Sequence, residues 1–203
     1  MRARRPSRSW TVKLRIISGH LRGRDLGRVP DGVRPTTDRV RESLFSSLGS
    51  VGECSILDLF AGTGALGLEA YSRGAERVVF VERSKGVARA LQKRLASLGL
   101  AGEEALQVVV SDARRAVQRL SESDPAAFDL VFVDPPYVEG GESEREPILS
   151  MLFGAGVLRP DATVVVEGPT RHPLPPLPGI RVVDERRYGD TLLTWLRAAD
   201  RPD

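Results

Sequence analysis

The sequence predicts an α/β fold, in which a doubly wound, mostly parallel sheet ends in a reversed last strand and is preceded by a small N-terminal β-hairpin. From Ser55 onward, short apolar runs alternate with helical segments, which indicates a parallel sheet with helices on both faces. Residues 181–186 and 191–196 then form two strand-like runs around Gly189-Asp190. No helix fits between them, so they predict a hairpin and a last strand antiparallel to its neighbour.

The individual elements follow in chain order. Residues 14–18 and 21–29 predict two short strands around Gly19, before a turn at 30–32, so that residues 14–33 form a hairpin carrying arginines. Thr36 or Thr37 can N-cap the next helix, whose apolar stripe contains Val40 and Leu44. Further strands are predicted at 56–60, 78–81, 106–110, 128–133 and 163–166, and helices at 65–72 and 113–120. Ser84 is predicted to cap another helix that runs to about Leu98, and a short helix is predicted to start at Pro147.

Composition excludes several classes of protein. A chain of 203 residues suits one sizeable domain, and no apolar run approaches the length of a membrane span. The basic N-terminus is not followed by an apolar segment, so it is not a secretory signal. The single Cys54 cannot form an internal disulfide, and with only two histidines the chain has no metal-ligand cluster. We therefore expect a cytoplasmic, metal-free protein.

Positive charge is concentrated at the N-terminus. Residues 1–41 hold 12 Lys or Arg against three acids, a net charge of +9, whereas residues 42–203 hold 18 against 24, a net charge of −6. Such segregation indicates a polyanionic partner, most often nucleic acid. We divide the chain into a basic, disordered tail (1–13), a hairpin and helix that face the polyanion (14–48) and a core (49–203). For residues 1–8 alone, a solvated basic tail is the simpler interpretation.

A glycine-rich turn follows the first core strand. Gly62, Gly64 and Gly67 match G-x-G-x-x-G, and Glu82 ends the next strand 20 residues after Gly62. This spacing satisfies the dinucleotide-binding fingerprint, in which the glycines let the backbone approach a ligand and the acid binds ribose hydroxyls. The fingerprint does not distinguish one adenosine compound from another.

Three features favour S-adenosylmethionine over NAD. Asp58 lies beside the glycines and could bind the ammonium group of an amino acid, which a nicotinamide cofactor lacks. Asp112 ends the third core strand and could meet an adenine amine, although it could equally N-cap the following helix; the two roles do not exclude each other. The reversed last strand does not belong to an all-parallel dinucleotide-binding sheet.

The strand at 128–133 delivers a distinctive group of side chains to its carboxyl end. Asp134 and the carbonyl of Pro135 offer two acceptors to a single amino group, and Pro136 stiffens the turn. Tyr137 offers a flat face on which a base could stack. The stretch is typical of a clamp for a planar ring with an exocyclic amine, although an ordinary strand end would also explain Asp-Pro-Pro.

These residues resemble the class I S-adenosylmethionine-dependent methyltransferases, whose D/N-P-P-Y/F motif matches residues 134–137. More closely, the chain resembles the RsmD family, which methylates N2 of one guanine in small-subunit (16S) ribosomal RNA. The matching stretches are residues 15–19, 22–24, 34–42, 60–70 and 132–137, within a span from 14 to 196. The resemblance says nothing about residues 1–13.

The resemblance implies a seven-stranded, Rossmann-like sheet and a role for each motif. It implies that the cofactor is held by Asp58, Phe60, Gly62, Gly64, Glu82, Asp112 and Ala113, with Glu82 at the ribose and Asp112 and Ala113 at the adenine. It implies that Asp134, Pro135 and Tyr137 are catalytic. It implies that the RNA meets Arg15, Arg22, Arg24, Arg34, Arg39 and Arg41.

The expected partner is small-subunit ribosomal RNA or the assembling 30S particle. The protein is expected to act as a monomer and to release S-adenosylhomocysteine as product. Three other functions remain open at this point. One is a methyltransferase of adenine N6 in DNA or RNA, or of a protein glutamine, because each can use the same clamp. The others are a NAD-dependent oxidoreductase and a catalytically silent RNA-binding protein.

Overall fold

A computed structural model describes residues 14–27, 37–136 and 144–199 of the chain. In chain order its strands are β1 (Leu14–Arg15), β2 (Asp25–Gly27), β3 (Ser55–Asp58), β4 (Arg77–Glu82), β5 (Leu106–Val110), β6 (Phe128–Val133), β7 (Leu158–Pro169), β8 (Ile180–Tyr188) and β9 (Thr191–Ala198). Its helices are α1 (Asp38–Leu48), α2 (Ala65–Ser72), α3 (Lys85–Ser97), α4 (Ala113–Ser123) and α5 (Arg145–Gly154).

Seven strands form one sheet in the order β5-β4-β3-β6-β7-β9-β8. The pairs among β3 to β7 are parallel, and β9 runs antiparallel to both β7 and β8. The predicted seven-stranded sheet with a reversed last strand is therefore confirmed. The apolar runs of β3, β4 and β6 are buried because helices cover both faces of the sheet.

The hydrophobic core consists of two clusters, one on each face of the sheet. One cluster joins Leu14, Ile16 and Leu26 of the N-terminal segment to Phe80 of β4 and Phe132 of β6. The segment 14–27, which we call the hairpin, thus shares its core with the sheet. The boundary predicted at residues 48 and 49 stays a prediction, but the packing across it is continuous.

The hairpin differs from the prediction in the length of its strands. β1 and β2 pair antiparallel, but β2 has only three residues, and Arg22 lies in the preceding turn. The sequence predicts that Arg22 and Arg24 share one face of the second strand, and this prediction is wrong, because both residues precede β2. The turn predicted at 30–32 and the tail 1–13 lie outside the described residues. Thr37 is confirmed as the N-cap of α1, accepting a hydrogen bond from the Val40 N–H at 3.4 Å.

The starts of α5 and β7 were also predicted wrongly. α5 begins at Arg145, so Pro147 occupies its third position instead of its first. A proline is tolerated there because the first N–H groups of a helix have no partner within it. β7 begins at Leu158, five residues before the predicted start, because an irregularity in its pairing with β6 lets the strand continue through Pro160.

No helix in the described parts of the chain is long and apolar enough to cross a membrane. Within the same residues, no three His, Cys, Asp or Glu side chains are grouped as a metal ion would require.

Candidate active site at the carboxyl edge of the sheet

The four acidic residues that the sequence predicts for the site lie along one edge of the sheet. Asp58 ends β3, Glu82 ends β4, Asp112 follows β5 and Asp134 follows β6. Because the strands lie in the order β5-β4-β3-β6 and run parallel, these acids follow one another as Asp112, Glu82, Asp58 and Asp134. Three interstrand spacings separate the outer two, or roughly 14 Å. Ligands of open α/β sheets bind at this edge, where the strand order reverses.

The glycine loop, residues 59–64, joins β3 to α2. Gly62 and Gly64 have φ angles of 51° and 74°, in the left-handed region that favours glycine. The N–H of Gly64 donates to the Ala61 carbonyl at 2.6 Å and closes the turn. Gly67 has another role, since a Cβ there would lie 2.3 Å from Cε1 of Phe80. The first two glycines therefore shape the loop, and the third lets α2 pack against β4.

Asp58 is buried behind this loop and accepts a hydrogen bond from the Gly67 N–H at 3.1 Å. Burial, helped by the nearby charge of Glu82, raises the pKa of Asp58 to about 7, and the bond from Gly67 opposes the rise only in part. The charged form of such a buried carboxyl group is stabilised most by a cationic partner. The chemistry of Asp58 therefore fits the ammonium group of an amino acid.

Glu82 braces the loop from the neighbouring strand. One carboxylate oxygen accepts from the Gly62 N–H at 3.1 Å and the other from the Ser84 N–H at 2.7 Å. Ser84 in turn N-caps α3, as predicted. Each oxygen has a second lone pair, so Glu82 can hold the loop and still accept a ribose hydroxyl.

An open pocket of about 480 Å³ lies beyond Glu82, at the start of α4. Its lining residues are Phe60, Asp112, Ala113, Arg114, Arg115, Glu144 and Ile148. Asp112 N-caps α4 through the Arg114 N–H at 3.0 Å, which confirms one of its two predicted roles. A half-buried aromatic ring and an acid facing one pocket suit a flat base such as adenine. Ile148 and Glu144 were not among the residues predicted for the cofactor, because no local sequence motif links α5 to the glycine loop.

At the other end of the row, Asp134 and Pro135 are half-buried where β6 ends. Asp134 borders a small recess of about 10 Å³ between α1, α2 and the sheet, lined mainly by apolar residues. Low polarity strengthens hydrogen bonds made there. Tyr137 lies outside the described residues, so its predicted stacking role stays a prediction.

The predicted RNA-facing arginines have different environments. Arg15, Arg22, Arg24 and Arg39 are exposed, and Arg34 lies outside the described residues. Arg15 also contacts Asp38 at 3.3 Å.

Arg41 was predicted to face the RNA, and this placement is wrong, because its side chain is 0% exposed. Its Nη2 donates to the Arg15 carbonyl and to Asp38, each at 2.7 Å. Burial lowers its pKa, opposed by the nearby carboxylates of Asp38 and Glu69. Arg41 therefore joins the hairpin to α1.

Comparison with known proteins identifies the family. The profile of the family described as "Conserved hypothetical protein 95" matches residues 14–197. Ribosomal RNA small subunit methyltransferase D of Escherichia coli K12 is 40% identical over 178 residues, which cover 86% of this chain and 84% of that protein. The protein of the same name in Haemophilus influenzae is 38% identical over 164 residues, covering 80% and 82%.

A solved structure agrees. The Escherichia coli protein yhhF is 35% identical to this chain and superposes with a TM-score of 0.77, covering 93% of this chain and 99% of that one. With the row of acids, the glycine loop and the reversed last strand, these matches show that the chain belongs to the RsmD family of class I methyltransferases.

Proposed function

We propose that this protein transfers a methyl group from S-adenosylmethionine to the exocyclic N2 of a guanine in small-subunit ribosomal RNA. The observation that carries the proposal is the order of the four acids along the carboxyl edge. Asp112 would meet adenine, Glu82 ribose, Asp58 the amino acid ammonium and Asp134 the reacting amine. Membership of the RsmD family supports the choice of substrate.

The bound cofactor would supply an electrophilic methyl group on a sulfonium sulfur. Methyl transfer would form an N–C bond at guanine N2 and break the C–S bond of the sulfonium, whose electrons would stay on sulfur in the product S-adenosylhomocysteine. N2 is a weak nucleophile because its lone pair is delocalised into the ring. Acceptors at Asp134 and the Pro135 carbonyl would bind its two protons and stabilise positive charge developing on nitrogen.

The proton is lost after methyl transfer, when it is acidic, so Asp134 or water can take it. The target guanine must leave its stack to reach this edge, and Tyr137 is proposed to hold it there. No metal is required, because the sulfonium methyl is already activated. All the proposed groups come from one chain, which supports action as a monomer. We place this activity in the cytoplasm, with ribosomal RNA or the assembling 30S particle as the substrate.

Two experiments test the assignment. Calorimetry should detect binding of S-adenosylhomocysteine and no binding of NAD; the reverse would make the protein an oxidoreductase. Small-subunit RNA from a strain lacking the gene should lack one N2-methylguanine, and the purified protein should restore it. If that strain instead keeps its N2-methylguanine and loses a methyl group at an adenine N6 or a protein glutamine, the same clamp acts on that other substrate.

Cofactor affinity should depend on pH through Asp58. The carboxyl group must lose its proton to pair with the ammonium group, and its pKa of about 7 lies within the working range. Below pH 7, affinity for S-adenosylhomocysteine should therefore fall by about tenfold per pH unit, and above pH 8 it should level off. Calorimetry between pH 5.5 and 8.5 measures this. In Asp58→Asn the affinity should be low and nearly independent of pH; an equal slope in both proteins would assign the titration to another group.

The exposed arginines at the N-terminal side are proposed to bind RNA phosphates. Reversing the charge of Arg22 and Arg39 together should weaken RNA binding and reduce the salt slope, d log K/d log[salt], by roughly two, because two contacts no longer release counterions. The matched control reverses Arg119 and Arg181, two exposed arginines on α4 and β8. Filter binding across a salt series measures both variants. An unchanged slope in the first variant would place the RNA on another surface.

A further inference from the structure

One buried arginine connects the hairpin to the glycine loop. Arg94 lies on α3 and is 8% exposed. Its Nε donates to the Leu26 carbonyl of β2, and its Nη1 donates to the Thr63 carbonyl of the glycine loop at 2.6 Å. Burial lowers its pKa, opposed by the charge of Asp25. A planar guanidinium can bridge two separate carbonyls in fixed directions, which the single ammonium group of lysine cannot do.

The bond to Thr63 fixes one peptide group of the loop. The Thr63 carbonyl and the Gly64 N–H belong to the same planar unit. Arg94 holds the carbonyl, and the Ala61 carbonyl accepts from the N–H at 2.6 Å. Because both ends of the unit are bonded, the peptide cannot turn over unless both bonds break. Arg94 therefore stabilises the left-handed conformation of Gly64.

The hairpin is fastened at a second place, near the other end of α2. The buried carboxylate of Glu69 accepts from the N–H groups of Ile17 at 2.7 Å and Ser18 at 3.0 Å. The Ser72 carbonyl accepts from the His20 N–H at 2.8 Å. The hairpin thus contacts the last turn of α2 through Glu69 and Ser72, and the loop before α2 through Arg94.

The geometry points to Arg94 as a positioning residue that couples the hairpin to the glycine loop. Cofactor binding, which orders the loop, then also stabilises the hairpin, and RNA contact with the hairpin raises cofactor affinity by the same factor, since coupling between two ligands is reciprocal. The coupling rests on the proposed function. The hydrogen bonds of Arg94 to the Leu26 and Thr63 carbonyls act on the backbone, so its proposed role is positional.

The test uses the full chain, backbone hydrogen exchange and calorimetry. In wild type, S-adenosylhomocysteine should slow exchange in peptides covering residues 14–27 as well as those covering the loop. Arg94→Met should weaken S-adenosylhomocysteine binding by about tenfold to a hundredfold and reduce the protection of residues 14–27 at saturating ligand, with the bonds to Glu69 and Ser72 left intact. Arg94→Lys should recover only part of each effect. The control is Arg89→Met. Arg89 is an exposed arginine on the same helix, and this variant should match wild type in affinity and in protection.

A structural role alone would lower the unfolding temperature of Arg94→Met and leave affinity and the protection pattern unchanged, and that result would overturn the proposal. If Arg94→Met does not fold, wild type decides, because failure of the ligand to protect residues 14–27 would equally overturn it. Hydrogen exchange of the protein without ligand tests this proposal independently of the proposed function. Without ligand, Arg94→Met should already exchange faster than Arg89→Met in both segments, whether or not the ligand is an adenosyl compound.

Discussion

Asp134→Ala is expected to slow methyl transfer by about 10²–10³-fold while leaving affinity for S-adenosylhomocysteine nearly unchanged. The carboxylate is proposed to act in the transition state, through a charge-assisted hydrogen bond to the reacting amine. Alanine leaves only the Pro135 carbonyl as an acceptor. Asp134→Asn should be milder, because its amide oxygen still accepts one hydrogen bond. The measurement is single-turnover transfer from labelled cofactor to small-subunit RNA or particles at saturating substrate.

The same strand supplies a matched control. Asp129 lies near the start of β6, accepts a hydrogen bond from the Ser55 N–H at 2.8 Å and pairs with Arg159 at 2.8 Å. Asp129→Ala should therefore lower stability without a comparable loss of rate. A near-normal rate for Asp134→Ala would remove the clamp from the mechanism, while a rate loss in Asp129→Ala as large as that in Asp134→Ala would indicate general damage to β6.

The sheet, the glycine loop and the acids at the strand ends could be predicted because their signals are local. Each buried strand contains a short apolar run, and three of the five described helices start at a capping side chain, Thr37, Ser84 or Asp112, whereas α2 and α5 have none. The loop glycines are required by backbone geometry, so their spacing is visible in the sequence. Strand order then brings the acids together, because parallel strands place their carboxyl ends on one edge.

The two buried arginines show where this reasoning failed. Arg41 was predicted to face the RNA and no role was predicted for Arg94, yet both side chains are buried and each donates a hydrogen bond to a backbone carbonyl. A signal was present. Arg94 follows Leu91 by three residues and precedes Leu98 by four, so it lies on the apolar stripe of α3. Which carbonyls it meets depends on the hairpin, which is distant in the sequence, and no local pattern supplies that.

Gly64→Val is expected to reduce affinity for S-adenosylhomocysteine by more than about 100-fold. Gly64 has a φ angle of 74°, where a β-branched residue is strained by about 1–3 kcal/mol. A Cβ would also lie 2.4 Å from Cδ1 of Leu91, a fully buried side chain of α3. Either this side chain or the loop must therefore shift, and the backbone conformation that is proposed to receive the cofactor is disturbed.

Gly102→Val separates strain from the specific clash. Gly102 has a φ angle of 80°, similar to that of Gly64, but no heavy atom lies within 4 Å of a Cβ placed there. Both variants carry left-handed strain, and only Gly64→Val disturbs the glycine loop. Calorimetry should therefore give wild-type affinity for Gly102→Val, and thermal unfolding should show that both variants fold. If Gly64→Val folds and binds S-adenosylhomocysteine as tightly as Gly102→Val, the glycine loop does not hold the cofactor, and the row of acids beside it would need another ligand.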